Sequence, residues 1–175
     1  MNEIIKKNGI TYGIFLGLFS IVVTASIYAI DLALFTNMWL GISSLIIYII
    51  IGVLVVSKTK SQLKTITFKE AFTVFFITAV IGITISTLFN IILFNFIDPA
   101  AKDTIRELTI KFAVEMMQKF GAPPASINEA IAKMGETDNF SIGGLLQGMV
   151  SSYLVNAVFG LLLAVIFKSR PTEHS

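Results

Sequence analysis

Residues 66–99 read ITFKEAFTVFFITAVIGITISTLFNIILFNFIDP, and this stretch decides the fold. From Ala71 to Ile97 it carries no charged side chain, and its roughly 27 residues exceed the ~20 that a helix needs to cross a hydrocarbon core about 30 Å thick. Both ends are punctuated. Thr67-Phe68-Lys69-Glu70 has the T-x-x-E spacing of a capping box, and Ile66 and Ala71 stand where a weak hydrophobic staple would close over it. At the far end Asp98-Pro99 places an N-cap carboxylate and a first-turn proline, which start a new helix rather than extend the old one.

Outward from this span the same reading repeats. Residues Ile10–Ile30, Met38–Val56 and Ile142–Phe167 are long, apolar and free of charge, with Asn37 and Ser141 placed as caps for the last two. Of the 175 residues 55% are hydrophobic and 14% charged, and the mean hydropathy is +0.83. A soluble domain carries about 25% charged residues, so lipid is the expected solvent. The expected fold is all-α: an integral membrane four-helix bundle, one membrane domain over residues 1–175. Lys6 and Lys7 resemble the start of a signal peptide, but the apolar run that follows outlasts the ~7–15 residues of a signal core, so an uncleaved anchor is expected.

Orientation follows from the basic residues. Lys6, Lys7, Lys58, Lys60, Lys64, Lys69, Lys168 and Arg170 fall in three regions that share one side if all four spans cross. The short connection Asp31–Asn37 has none, and in Asp98–Phe140 the basic residues are diluted among acidic ones. The positive-inside rule then puts both termini in the cytoplasm of a bacterial inner membrane. The Lys58–Lys69 stretch reads mainly as a topogenic, lipid-facing loop, with a recognition patch for anionic lipid as the alternative.

Residues 98–140 are expected on the other side. Ile105, Leu108, Phe112, Met116 and Phe120 recur every three or four residues, opposite Lys102, Arg106, Glu107 and Lys111, which describes an amphipathic helix. Gly121 stops it, and Ser126 with Glu129 has capping-box spacing for a shorter helix ending at Gly135. The apolar stripe is expected to cover the span ends or the leaflet, or to dock a membrane-protein partner or a second copy.

Within the spans, small and polar residues recur at intervals of four. The first reads Gly9, Gly13, Gly17; the third Thr78, Gly82, Ser86, Asn90; the fourth Gly144, Gly148, Ser152, Asn156, Gly160. Residues four apart share a helix face, and small ones let two backbones approach, which in lipid must replace the missing hydrophobic drive between helices. Asn90 and Asn156 are expected to hydrogen-bond across interfaces. Alternatively Asn90, Asn95, Gln147 and Asn156 line a polar path for a neutral or amphiphilic solute. No span contains an ionisable acid or base, which argues against ion- or proton-coupled transport.

The chemistry inventory is short. There is no cysteine, and the single histidine, His174, is the penultimate residue, expected in a frayed tail. Phosphate-binding glycine loops, His-Glu-x-x-His and Gly-x-Ser-x-Gly are missing. Ser141-Ile142-Gly143-Gly144 is glycine-rich but opens a membrane helix. Neither catalysis, a cofactor nor a metal is expected, and a net charge of +2 gives no reason to expect a nucleic-acid partner.

The Gly9-x-x-x-Gly13-x-x-x-Gly17 span, Ile66-Thr67-Phe68-Lys69-Glu70-Ala71-Phe72, Asp98-Pro99 and the glycine-rich entry to the fourth span together resemble the bacterial membrane family called domain of unknown function 4199, found mainly in the Bacteroidota. The resemblance covers nearly the whole chain. It implies four spans in a bacterial inner membrane and brings no activity, cofactor or catalytic residue. A scaffold or accessory subunit is the function expected first, with a small permease or channel-like protein as the alternative.

Overall fold

The computed structural model describes residues 2–136 and 138–169; His174 and Arg170 lie outside the described residues. Among these, six α-helices follow one another: α1 (Glu3–Ile30), α2 (Met38–Leu63), α3 (Phe68–Ile92), α4 (Pro99–Lys119), α5 (Pro124–Glu136) and α6 (Ile142–Phe167). A 3₁₀ turn, Leu32–Thr36, joins α1 to α2, and a π-helical turn, Leu93–Ile97, prolongs α3. The helices α1, α2, α3 with its π turn, and α6 are long and apolar enough to span a membrane. Their outward faces carry exposed Leu, Ile, Val and Phe side chains, as expected of helices that face lipid.

Local chemistry sets the boundaries. Thr67 and Glu70 form the reciprocal capping box: Thr67 Oγ1 accepts from Glu70 N at 3.2 Å, and Thr67 N donates to Glu70 Oε2 at 2.8 Å. Asn37, Asp98 and Ser141 cap α2, α4 and α6. Two helices outrun their apolar cores. α1 starts at Glu3 because Asn2 Oδ1 accepts from Ile4 N, and α2 continues past Val56 to Leu63 through its lysine-bearing turns. At Gly121, φ of +73° suits a residue without Cβ, and α4 ends in a Schellman arrangement, with Ala122 N donating to Met117 O and Gly121 N to Gln118 O. α5 begins at Pro124 rather than after Ser126. Proline fits the first helical turn, so Ser126 is already helical and Glu129 pairs with Lys133 at 2.7 Å.

Helix α3 is central, with α1 and α6 packed along it. Gly9, Gly13 and Gly17 of α1 face Ile77, Ile81 and Ile85 of α3. A Cβ added at each glycine would lie 2.7 Å from its isoleucine. The fit is reciprocal, since a Cβ at Gly82 would lie 2.7 Å from Leu16 Cδ2. Thr78 Oγ1 bridges the same interface, donating to a carbonyl at Val74 (2.9 Å) or at Gly9 (3.3 Å).

Two cores result. One lies near the end that carries the lysines, formed by Ile5, Val55, Val56, Ile66, Val74, Phe75 and Leu163 with their neighbours. The other lies at the opposite end, where the α4–α5 hairpin sits: Leu93, Phe94, Ala101 and Ile105, flanked by Tyr28, Phe35 and Phe140. Asp98 ties that end together, accepting from Tyr28 Oη (2.9 Å) and from Ala101 N (3.2 Å). Between the cores the packing is uneven. The buried residues of α2 all lie in its second half, Ile51 to Thr59, whereas Trp39 near its start is 77% exposed.

Gly13→Ala should lower stability in micelles by about 1–3 kcal/mol, because the isoleucine it meets is β-branched and cannot swing aside. Gly148→Ala, whose Cβ would meet nothing within 4 Å, should stay within ~0.5 kcal/mol of wild type. A denaturant titration followed by circular dichroism checks both.

Candidate functional site

The uneven packing leaves a cavity of about 490 Å³ in the hairpin half of the bundle. All four spans contribute: Leu16 and Ser20 of α1, Tyr48 of α2, Gly82, Ile83, Ser86, Thr87 and Asn90 of α3, and Gly144, Gly148, Met149 and Ser152 of α6. Asn139, in the α5–α6 connection, forms the rim. A second cavity of about 340 Å³ between α1 and α2 shares Leu16, Ser20, Tyr48 and Ser86 with the first and adds Thr24 and Ser44. From Gly144 to Ser152 the depth is roughly 12 Å at 1.5 Å per residue.

The lining is uncharged and rich in hydroxyls. Thr59, Thr78 and Thr84 return their hydroxyl protons to the preceding turn, at Val55, Val74 and Val80. Among the described residues, the side chains of Ser20, Ser44, Ser86, Thr87, Asn90 and Ser152 have no such partner, yet no fully buried polar atom is left unsatisfied. All of them line one or both cavities. Apolar walls of Leu16, Ile83, Leu145 and Met149 alternate with them, the mixture typical of small-molecule sites of ~300–1,000 Å³.

Toward the lysine end the cavity is blind. Tyr48 Oη donates to Asn156 Oδ1 from α2 to α6, and Asn156 Nδ2 donates to Ser152 O at 2.9 Å. Below that pair sits Phe75, edge-on to Tyr48 at 6.4 Å. Its ring is held between two glycines, since a Cβ at Gly52 of α2 or at Gly160 of α6 would lie 2.8 Å from it. Thr84 Oγ1 and Tyr153 Oη, 2.6 Å apart, add a further α3–α6 bond.

The small-residue stripes thus divide between two uses. Gly9, Gly13, Gly17, Gly82 and Gly160 are contact surfaces between helices. Ser86, Asn90, Gly148 and Ser152 line the cavity, while Gly144 fits against the backbone of Asp138 and Asn139. Asn156 bonds across an interface, and Asn90 instead faces open space. Gln147 is exposed, and Asn95 holds the α5–α6 connection by donating to Phe140 O at 2.9 Å. On α4, Ile105 is only 1% exposed within the hairpin-end core. Leu108, Phe112 and Met116 are half-buried, and Phe120 is 82% exposed. Sequence reasoning missed Tyr48, Ser20 and Asn8, whose amide donates to Thr59 Oγ1 (2.9 Å) and Gln62 Oε1 (2.7 Å). For Tyr48 and Ser20 the one legible signal was polarity inside an apolar run, whereas Asn8 lies beside Lys6 and Lys7, ahead of the first such run.

Among the described residues no group of three acidic or histidine side chains could hold a metal ion, and nothing in the described residues indicates catalysis. The fold defines the class: a multi-pass membrane protein built as a helical bundle. The family described as "Protein of unknown function (DUF4199)" matches residues 11–169, nearly the whole chain, and the protein belongs to that family. No curated protein and no solved structure matches it significantly.

Proposed function

We propose that the protein is a non-catalytic membrane protein that takes an uncharged amphiphilic molecule into the cavity between its four spans. The observation supporting this reading is the set of hydroxyl and amide groups from four helices that line two adjoining cavities and have no partner among the described residues. An uncharged lining rewards neutral hydrogen-bonding heads. A carboxylate or phosphate would enter low-dielectric surroundings without a countercharge, at a cost of several kcal/mol. Apolar walls suit an attached hydrocarbon chain. Because Phe75 and the Tyr48–Asn156 pair close one end, the resting state is a one-sided site rather than a pore. Carriage across the membrane would require that seal to open, as in a small permease.

An accessory role through α4 has less support from the geometry. Ile105 of the apolar stripe is spent on the protein's own core, and Leu108, Phe112, Met116 and Phe120 are what remains for a partner.

In detergent micelles, a fluorescent monoacylglycerol should bind the wild type at least about tenfold more tightly than the matching lysophosphatidate, and Gly148→Phe should abolish the difference by filling the cavity. Equal binding of both probes, or undiminished binding by Gly148→Phe, would overturn the reading.

The lysine distribution further supports both termini in the cytoplasm, with the α4–α5 hairpin outside. The cysteine-free chain makes this directly measurable. In intact cells Ser126→Cys should react with an impermeant maleimide and Lys64→Cys should be shielded; the reverse pattern would invert the topology.

A further inference from the structure

A separate cavity lies at the lysine end, between α1 and α2. It measures about 360 Å³ and is lined by Ile4, Lys7, Asn8, Thr11, Tyr12, Lys58 and Gln62. From these residues we propose that it is a binding site for the phosphate headgroup of an anionic membrane phospholipid.

Charge is the first support. Lys7 and Lys58 enter from different helices, the lining holds no carboxylate, and neither lysine is in an ion pair among the described residues. Lys58, although exposed, is turned toward α1, with its ammonium over the Tyr12 ring, 5.6 Å from the centroid. The second support is a fixed polar floor. Asn8, nearly fully buried, donates to both Thr59 Oγ1 and Gln62 Oε1. With its oxygen engaged, the Gln62 carboxamide has its NH₂ group to offer a ligand, and Thr11 adds a hydroxyl. Two cations with neutral donors form the set that a phosphodiester accepts.

The third support selects a lipid over free phosphate. One turn further into the membrane, Lys7 and Thr11 are followed on the same face of α1 by Phe15, and Lys58 is preceded on α2 by Leu54. Both are exposed. The polar pocket therefore continues into an apolar track where an acyl chain can lie. A free anion would use the pocket and leave the track bare.

This site is distinct from the uncharged cavity, and the two stand or fall separately. The test uses the full chain in nanodiscs of phosphatidylcholine with a minor share of phosphatidylglycerol, released by mild activation and weighed by native mass spectrometry. The wild type should retain phosphatidylglycerol roughly tenfold over phosphatidylcholine. Lys7→Gln with Lys58→Gln should lose that preference, and Lys7→Arg with Lys58→Arg should keep it. The control pair Lys64→Gln with Lys69→Gln removes the same charge outside the pocket and should also keep it. Equal retention of the two lipids, equal loss in the control pair, or displacement of the lipid by millimolar inorganic phosphate would each overturn the proposal.

Discussion

The structure depends on the contact between the glycine face of α1 and the isoleucine ridge of α3. Lipid tails are as apolar as leucine, so spans gain nothing by hiding side chains from them. They associate where packing is closer than lipid can match and where hydrogen bonds form between helices. Three glycines spaced by four meet three isoleucines spaced by four, so each side-chain knob faces bare backbone. Isoleucine suits the arrangement because its χ1 is already restricted in a helix, and little freedom is lost on docking. With α1 seated, Thr78 finds the Gly9 carbonyl within reach, and α3 is fixed in rotation.

That rotation determines the rest. It points Phe75 away from α1 into the cleft between α2 and α6, where Gly52 and Gly160 leave room for the ring. It also points Ser86, Thr87 and Asn90 into the space that α2 does not fill. The lysine half closes around the aromatic ring, and the hairpin half stays open around hydroxyls. The hairpin-end core keeps the open half from collapsing, because the π turn, Asp98 and Tyr28 anchor α4 across the ends of α1 and α3. A polar space held between two packed ends is what the function proposed above requires.

Much of this was legible in the sequence. Charge-free runs gave the spans, and capping residues gave the starts of α2, α3, α4 and α6, because both are local properties of the chain. The residues on each helix face could also be read from spacing. What lies opposite a face could not. Gly148 and Gly13 carry the same spacing signal, yet one borders open space and the other is pressed against Ile81. Asn90 and Asn156 looked equivalent, but only Asn156 has a tyrosine across from it. The α4 stripe was visible as a stripe, while the burial of Ile105 depends on Leu93 and Phe94, brought near by a π turn that no sequence rule announced. Ser126 had the pattern of a cap, and the proline two residues earlier pre-empted it.

The most direct test of the account is a double-mutant cycle between Gly13→Ala and Ile81→Gly, read as unfolding free energy in micelles. If the α1–α3 fit holds the bundle, each single change destabilises and the pair recovers part of the loss, with a coupling of about 1 kcal/mol or more. Strictly additive losses would show that these two faces do not meet, and the account would fail at its base.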